Sequence, residues 1–191
     1  MGIDPTTLLT LFGVVAFGAI VPVVPTGAAV SAAAVLAGAD HPVEIVLVVV
    51  AGAGGAYVGD LVTYAVLRLA GESLATRVGW LNRDDPRGAS QRLRARIERH
   101  ELRTLLLSRL VPGGRVPVLL AAALGGYPWI RFATTAVAAA GLWSLVYTLI
   151  GVIGNSVFPD TTSALVMVVA AALVVTTGLR MLQRHRPDVN V

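Results

Sequence analysis

Five ionisable residues stand inside long apolar stretches of this 191-residue chain: Asp60, Arg68, Arg109, Arg115 and Arg131. A charge at membrane depth costs several kcal/mol unless it is paired or watered, so each is a candidate functional residue. Arg109 and Arg115 bracket Val111-Pro112-Gly113-Gly114. A guanidinium binds phosphate through a planar fork that an ammonium cannot reproduce. Backbone amides freed at Gly113 and Gly114 would add donors. The combination suits an anionic lipid headgroup. For Arg109 the plainer alternative is a side chain that snorkels to the membrane interface; Arg115, deeper in the segment, fits that alternative less well.

Asp60 follows Gly59, and Tyr64 lies one helical turn later on the same face, within hydrogen-bond reach. Asp60 is open to two roles: an ion pair with Arg109 or Arg115, purely structural or part of the site, or a protonatable relay. Arg131 follows Tyr127, Pro128 and Trp129, an interfacial set that marks it as an anchor, and Arg68 near the end of its span reads the same way.

The elements that must position these residues are membrane elements. The chain is 55% hydrophobic and 14% charged with a mean hydropathy of +0.76, against roughly 25% charged in an ordinary soluble domain. Charge-free runs from Pro5 to Ala39, Phe132 to Pro159 and Thr161 to Leu179 reach the roughly 20 apolar residues that a span needs. The expected spans are Thr6 to Ile20, Val43 to Ala70, Trp129 to Ile153 and Thr161 to Met181. Gly52, Gly54, Gly55 and Gly59 place a small-residue stripe on the second, where helix backbones can approach closely. Met1 to Thr7 carries no basic region, so the first apolar run reads as retained rather than as a signal peptide.

All 15 basic side chains are arginine, against 11 acids. Most fall in a loop of about residues 72–103 and in the tail from Arg180, and both read as cytoplasmic by the positive-inside rule. Part of that loop, Ser90 to Arg103, reads either as an interfacial helix on anionic lipid or as a solvated basic loop. Two spans after Gly126 return the tail to the side where they began. With loop and tail on one side, residues 104–126 must therefore enter and leave on that side as a re-entrant hairpin. The same parity makes residues 21–39 re-entrant from the other face. Irregular backbone at this depth is tolerated only where protein or a watery cavity satisfies it. Both segments have prolines at the break, an alanine-rich arm, then Gly38 and Pro42 or Gly126 and Pro128. Paired interrupted segments of this kind point to an inverted-repeat transporter.

Residue types speak against enzymes. There is no cysteine and no lysine, and the three histidines are scattered. That removes thiolate chemistry and makes a metal centre improbable. A phosphohistidine phosphatase would need lysine and paired histidines, and a metal-dependent phosphatidyltransferase several intramembrane aspartates. Ser31 and Ser144 have no histidine on a facing span to activate them, as intramembrane proteolysis would require. No cofactor, metal or nucleic-acid partner is expected.

Gly55-Ala56-Tyr57-Val58-Gly59-Asp60 with Tyr64, Arg68 and Gly71, then Ser108-Arg109-Leu110-Val111-Pro112-Gly113-Gly114-Arg115, followed by Gly125, Tyr127-Pro128-Trp129, Phe132, Gly141 and Trp143, resemble the DedA family, also called the SNARE-associated or VTT-domain family. The likeness runs from about Val21 to Gly154. It implies a bacterial inner-membrane, multi-pass protein with two opposed re-entrant hairpins that flips or scrambles lipids. Bacterial members are linked to undecaprenyl phosphate recycling, phospholipid translocation, cell-envelope integrity and cationic-peptide resistance. The family's two functional arginines carry over onto Arg109 and Arg115. Many members also have acids in the first hairpin, tied to proton coupling, whereas Ile20 to Ala28 has none here. Either Asp60 carries any coupling, or the protein is an uncoupled scramblase or a divergent paralogue.

The expectation is one all-α polytopic membrane domain over residues 1–191, with two opposed re-entrant hairpins in an inverted repeat and about four transmembrane helices. The expected function is that of a lipid translocase whose site comprises Arg109, Arg115, Asp60, Gly113, Gly114 and Tyr64 and whose partners are lipids with anionic headgroups; a homo-oligomer is compatible with the sequence. Two rivals are a proton-driven antiporter of small ions or drugs, which the missing hairpin acids disfavour, and a non-transporting organiser of other envelope proteins.

Overall fold

The computed structural model describes residues 3–21, 24–38, 40–77, 101–110 and 115–157, with positions 163, 166, 167 and 170. Among them are six helices and no strand: α1 (Pro5–Ile20), α2 (Thr26–Ala37), α3 (Pro42–Arg77), α4 (Glu101–Leu110), α5 (Arg115–Leu124) and α6 (Trp129–Val157). All but those four positions of the expected last span from Thr161 to Met181, and most of the basic loop, lie outside the described residues. The second expected span does not stop at Ala70, because α3 continues to Arg77.

Local chemistry explains the helix ends. Asp4 caps α1, accepting from the Thr7 amide at 2.9 Å and from its hydroxyl, and Pro5 opens the helix where no amide donor is missed. Those two bonds, the hydroxyl's first, hold the Asp4 carboxyl below its usual range. The cap is therefore fully present above the ordinary carboxylate pKa and is lost as pH falls through the lowered folded value. Pro25 stands at the N-cap of α2 and separates that helix from α1. Gly38, at φ 75°, ends α2, and Gly126, at φ 66°, ends the turn after α5. The second ending is a full Schellman motif: Gly126 N–H donates to Ala123 O at 3.2 Å and Tyr127 N–H to Ala122 O at 3.0 Å, with Pro128 next.

α1 runs parallel to α3. The Ile3 amide donates to Glu44 Oε2 at 2.9 Å at one end, Phe12 and Val15 lie on Gly54 and Gly55, and Ala16 and Ala19 lie on Gly59. A Cβ on Gly55 would stand 2.5 Å from the Phe12 carbonyl oxygen, and one on Gly59 2.8 Å from that of Ala16. Gly54, Gly55 and Gly59 thus seat α1 against α3, while Gly52 of the same stripe faces Val30 and Ser144. Gly13, by contrast, has open space around it. Gly59→Leu is expected to lower the thermal unfolding midpoint in detergent, with a loss of about 1–3 kcal/mol or more from overpacking. Gly13→Ala should leave the midpoint unchanged or raise it, by up to ~1 kcal/mol from helix propensity.

The segment read as irregular from Val21 to Ala39 contains one helix, α2, which returns antiparallel to α1. Val30 of α2 approaches Gly52, while Val24 and Thr26 at its start approach Gly18. With 16 residues, α1 is about 24 Å long, short of the roughly 30 Å hydrocarbon core. α2 thus lies antiparallel beside α1, and the start of α1 lies beside the start of α3. α6 lies antiparallel to α3, with Ser144 at Val49 and Phe132 at Tyr64. The arms are shared out between the long helices: α1 packs on α3 and α2 on α6, while α4 packs on α6 and α5 on α3.

Hydroxyls join the helices. Ser31 Oγ donates to Tyr147 O at 2.6 Å, and Ser144 Oγ to Val49 O at 2.9 Å. Thr63 Oγ1 lies 2.7 Å from Gly59 O and 3.5 Å from Ala19 O. Ser31 and Ser144 are thus buried cross-helix donors to carbonyls, a common device for joining membrane helices.

Pro42–Ala70 and Trp129–Val157 are each 29 residues long, apolar enough to cross a membrane, and only 33% and 39% buried across their most apolar windows. Large apolar side chains on both, such as Val46, Val62, Leu69, Leu145, Leu149 and Ile153, are exposed. A core helix of a soluble protein would bury that surface, so the arrangement fits a lipid surround.

Candidate functional site

Asp60, Tyr64 and Arg68 follow one another at four-residue intervals along α3, so they share a helix face. α5 packs on that face, and together with the start of α6 it buries Tyr64, Leu119, Ala122, Tyr127 and Phe132.

Arg115, the first residue of α5, reaches Asp60: its Nε donates to Oδ1 at 2.5 Å, and its Nη2 lies in ion-pair contact with the same oxygen. The two side chains are 15% and 5% exposed. The pairing is off the ideal fork, because both nitrogens converge on one carboxylate oxygen instead of taking one each. Nη2 is buried and has no properly directed hydrogen bond among the described residues. Of the two arginines considered for Asp60, Arg115 is thus a partner. Arg109 lies in the last turn of α4, and its side chain, Gly113 and Gly114 are outside the described residues.

Tyr64 does not turn to Asp60. Its ring stacks on Phe132 with centroids 4.1 Å apart and meets Trp129 at 5.2 Å. Its hydroxyl donates to Tyr127 O at 2.5 Å. Arg68 Nη1 donates to that same carbonyl at 3.3 Å and to the Tyr64 oxygen at 3.4 Å. The accepting carbonyl belongs to the residue just after the positive-φ Gly126, so Tyr64 and Arg68 grip the exit turn of α5 while Asp60 holds its start. Arg68, expected as an anchor, has this second attachment; Arg131 is exposed near the start of α6.

Sequence reasoning missed the role of the Tyr127 carbonyl and the stacking on Phe132. The Tyr127-Pro128-Trp129 cluster was legible only as an interfacial signal, since a backbone oxygen leaves no trace in residue types. It also missed Tyr147, whose ring lies over Gly27 at the start of α2 and meets Trp143 at 5.2 Å. Among the described residues, no three His, Cys, Asp or Glu side chains stand close enough to hold a metal ion.

The arrangement can present a buried cation, already partly neutralised, at the first residue of a helix packed midway along an apolar span. A model of the VTT domain matches residues 4–153. No curated protein and no solved structure matches the chain. With most of its length matched, from α1 to α6, this chain belongs to the VTT-domain family, the DedA or SNARE-associated membrane proteins.

Proposed function

We propose that the protein is a lipid translocase of the bacterial inner membrane. It moves a phosphate-bearing lipid, such as undecaprenyl phosphate or a phospholipid, by passing the headgroup between two re-entrant hairpins while the tail stays in the bilayer. The observation that carries this reading is Arg115 at the start of α5, only 15% exposed and packed against the buried Asp60 within the apolar helix α3. A buried cation in a lipid-exposed fold is retained at a cost and is a natural place for an anionic headgroup. Arg109, at the other side of the same break, is the second headgroup ligand, with the amides of Gly113 and Gly114 as further donors.

Support for the repeat comes from the sharing of arms between α3 and α6 and from the matched glycines Gly38 and Gly126. Aligning the halves by these glycines sets Gly27 against Arg115 and Thr148 against Asp60. Neither of those matching residues carries a charge, which agrees with the absence of acids in the first hairpin and with movement that needs no proton coupling there.

The test is headgroup accessibility in proteoliposomes. The wild type is expected to accelerate exposure of a labelled polyprenyl phosphate or phospholipid by roughly tenfold or more over protein-free vesicles, and Arg109→Ala/Arg115→Ala to remove the acceleration. Cation flux driven by a pH gradient without lipid movement would replace this reading with an antiporter. Full function in the double variant would favour a non-transporting organiser.

A further inference from the structure

The geometry points to Asp60 as a specificity-determining residue: a resident anion on Arg115 that an incoming headgroup must displace, so that phosphomonoesters are admitted and phosphodiesters are disfavoured. This rests on reading the pair as a headgroup site.

The argument begins with the guanidinium, which carries five N–H donors. Asp60 Oδ1 takes the Nε donor at 2.5 Å and lies against Nη2. Yet Nη2 is buried with no properly directed acceptor among the described residues. The carboxylate therefore neutralises Arg115 without saturating it. Any anion reaching this arginine competes with a carboxylate that is 5% exposed and already in contact.

That competition discriminates by charge and by oxygen count. A phosphodiester brings one negative charge and two terminal oxygens, as a carboxylate does, so exchange gains it little. A phosphomonoester above its second pKa, about 6, approaches two negative charges and brings three acceptor oxygens. It can take both Nε and Nη2 in the paired geometry that Asp60 leaves unmade. Asp60 is thus a threshold: without it Arg115 would accept either class, and with it only the stronger acceptor displaces the resident carboxylate.

The test compares wild type, Asp60→Asn and Asp60→Glu in proteoliposomes at pH 8 with two probes, a labelled polyprenyl phosphate and labelled phosphatidylglycerol. Wild type and Asp60→Glu are expected to move the monoester roughly tenfold faster than the diester, and Asp60→Asn to bring the two rates together by raising the diester rate. An unchanged ratio in Asp60→Asn, or a parallel fall of both rates in folded protein, overturns the inference. Because Asp60→Asn strands a buried arginine and can fail to fold, a second measurement uses the wild type alone in detergent. Inorganic phosphate is expected to raise its unfolding midpoint and dimethyl phosphate to leave it unmoved; equal responses, or none, overturn the inference. A wild type that moves neither lipid but responds selectively to phosphate removes the transport reading and leaves the exchange at Arg115 standing. One that moves both lipids at equal rates removes the exchange alone.

Discussion

Arg115→Ala is expected to destabilise the protein by about 3–5 kcal/mol, because it leaves the Asp60 carboxylate buried without its cation. The pair lies between α3 and α5, with Asp60 5% exposed and Arg115 15% exposed, so water reaches neither well enough to take the missing partner's place. Asp60→Ala should cost a similar amount for the mirror reason. The decisive comparison is Asp60→Leu/Arg115→Met, which removes both charges and fills the space with apolar groups. Replacing a buried pair in this way is often neutral or stabilising, so the double variant is expected to recover most of what either single variant loses. Unfolding midpoints in one detergent check this, and a double variant as unstable as the sum of the singles would show that the two charges do not act on each other. The same protein separates stability from function, since folded Asp60→Leu/Arg115→Met is expected to move no lipid.

Tyr64→Ala is expected to cost about 3–5 kcal/mol, the range for emptying a fully buried aromatic site. The ring has 0% exposure, stacks on Phe132 at 4.1 Å, and is the meeting point of α3, α5 and α6. Tyr64→Phe keeps the stacking and deletes only the hydroxyl that donates to Tyr127 O. It should cost about 1–3 kcal/mol, because the carbonyl at the α5 exit loses its nearest donor in a buried setting. Arg68→Ala should cost less than either, since its bonds are long, at 3.3 and 3.4 Å, and the side chain is exposed. A measured order with Arg68→Ala above Tyr64→Phe would place the hold on the exit turn in the guanidinium instead of the phenol.

The sequence by itself determined the class of protein and the places where the chain must break. An apolar run with few charges has only one favourable solvent. Proline and glycine act on their own backbone, so the breaks at Pro22 to Pro25 and the turns at Gly38 and Gly126 were legible from residue types alone. The glycine stripe on α3 was legible for the same reason, and the structure adds that α1 is received at Gly54, Gly55 and Gly59, with α2 and α6 at Gly52. Sequence also narrowed the charged candidates at depth, since desolvation cost depends on residue type and on the apolarity around it.

Tertiary structure decided what those residues do. Asp60 and Arg115 are separated by 55 positions and Tyr64 and Tyr127 by 63, so their meeting depends on which faces of α3 and α5 pack. Spacing along α3 made Tyr64 a plausible partner for Asp60. Packing sent its hydroxyl to a backbone carbonyl instead, because the ring is stacked on Phe132 and the Schellman turn presents that oxygen to it. The arrangement of the first two helices was decided in the same way. Hydropathy could mark residues 5–39 as apolar, but only the tertiary structure seats α1 parallel on α3, by close backbone approach at Gly55 and Gly59, with α2 returning beside it. Composition and periodicity act locally, whereas pairing is selected by three-dimensional fit between helix faces that lie far apart in the chain.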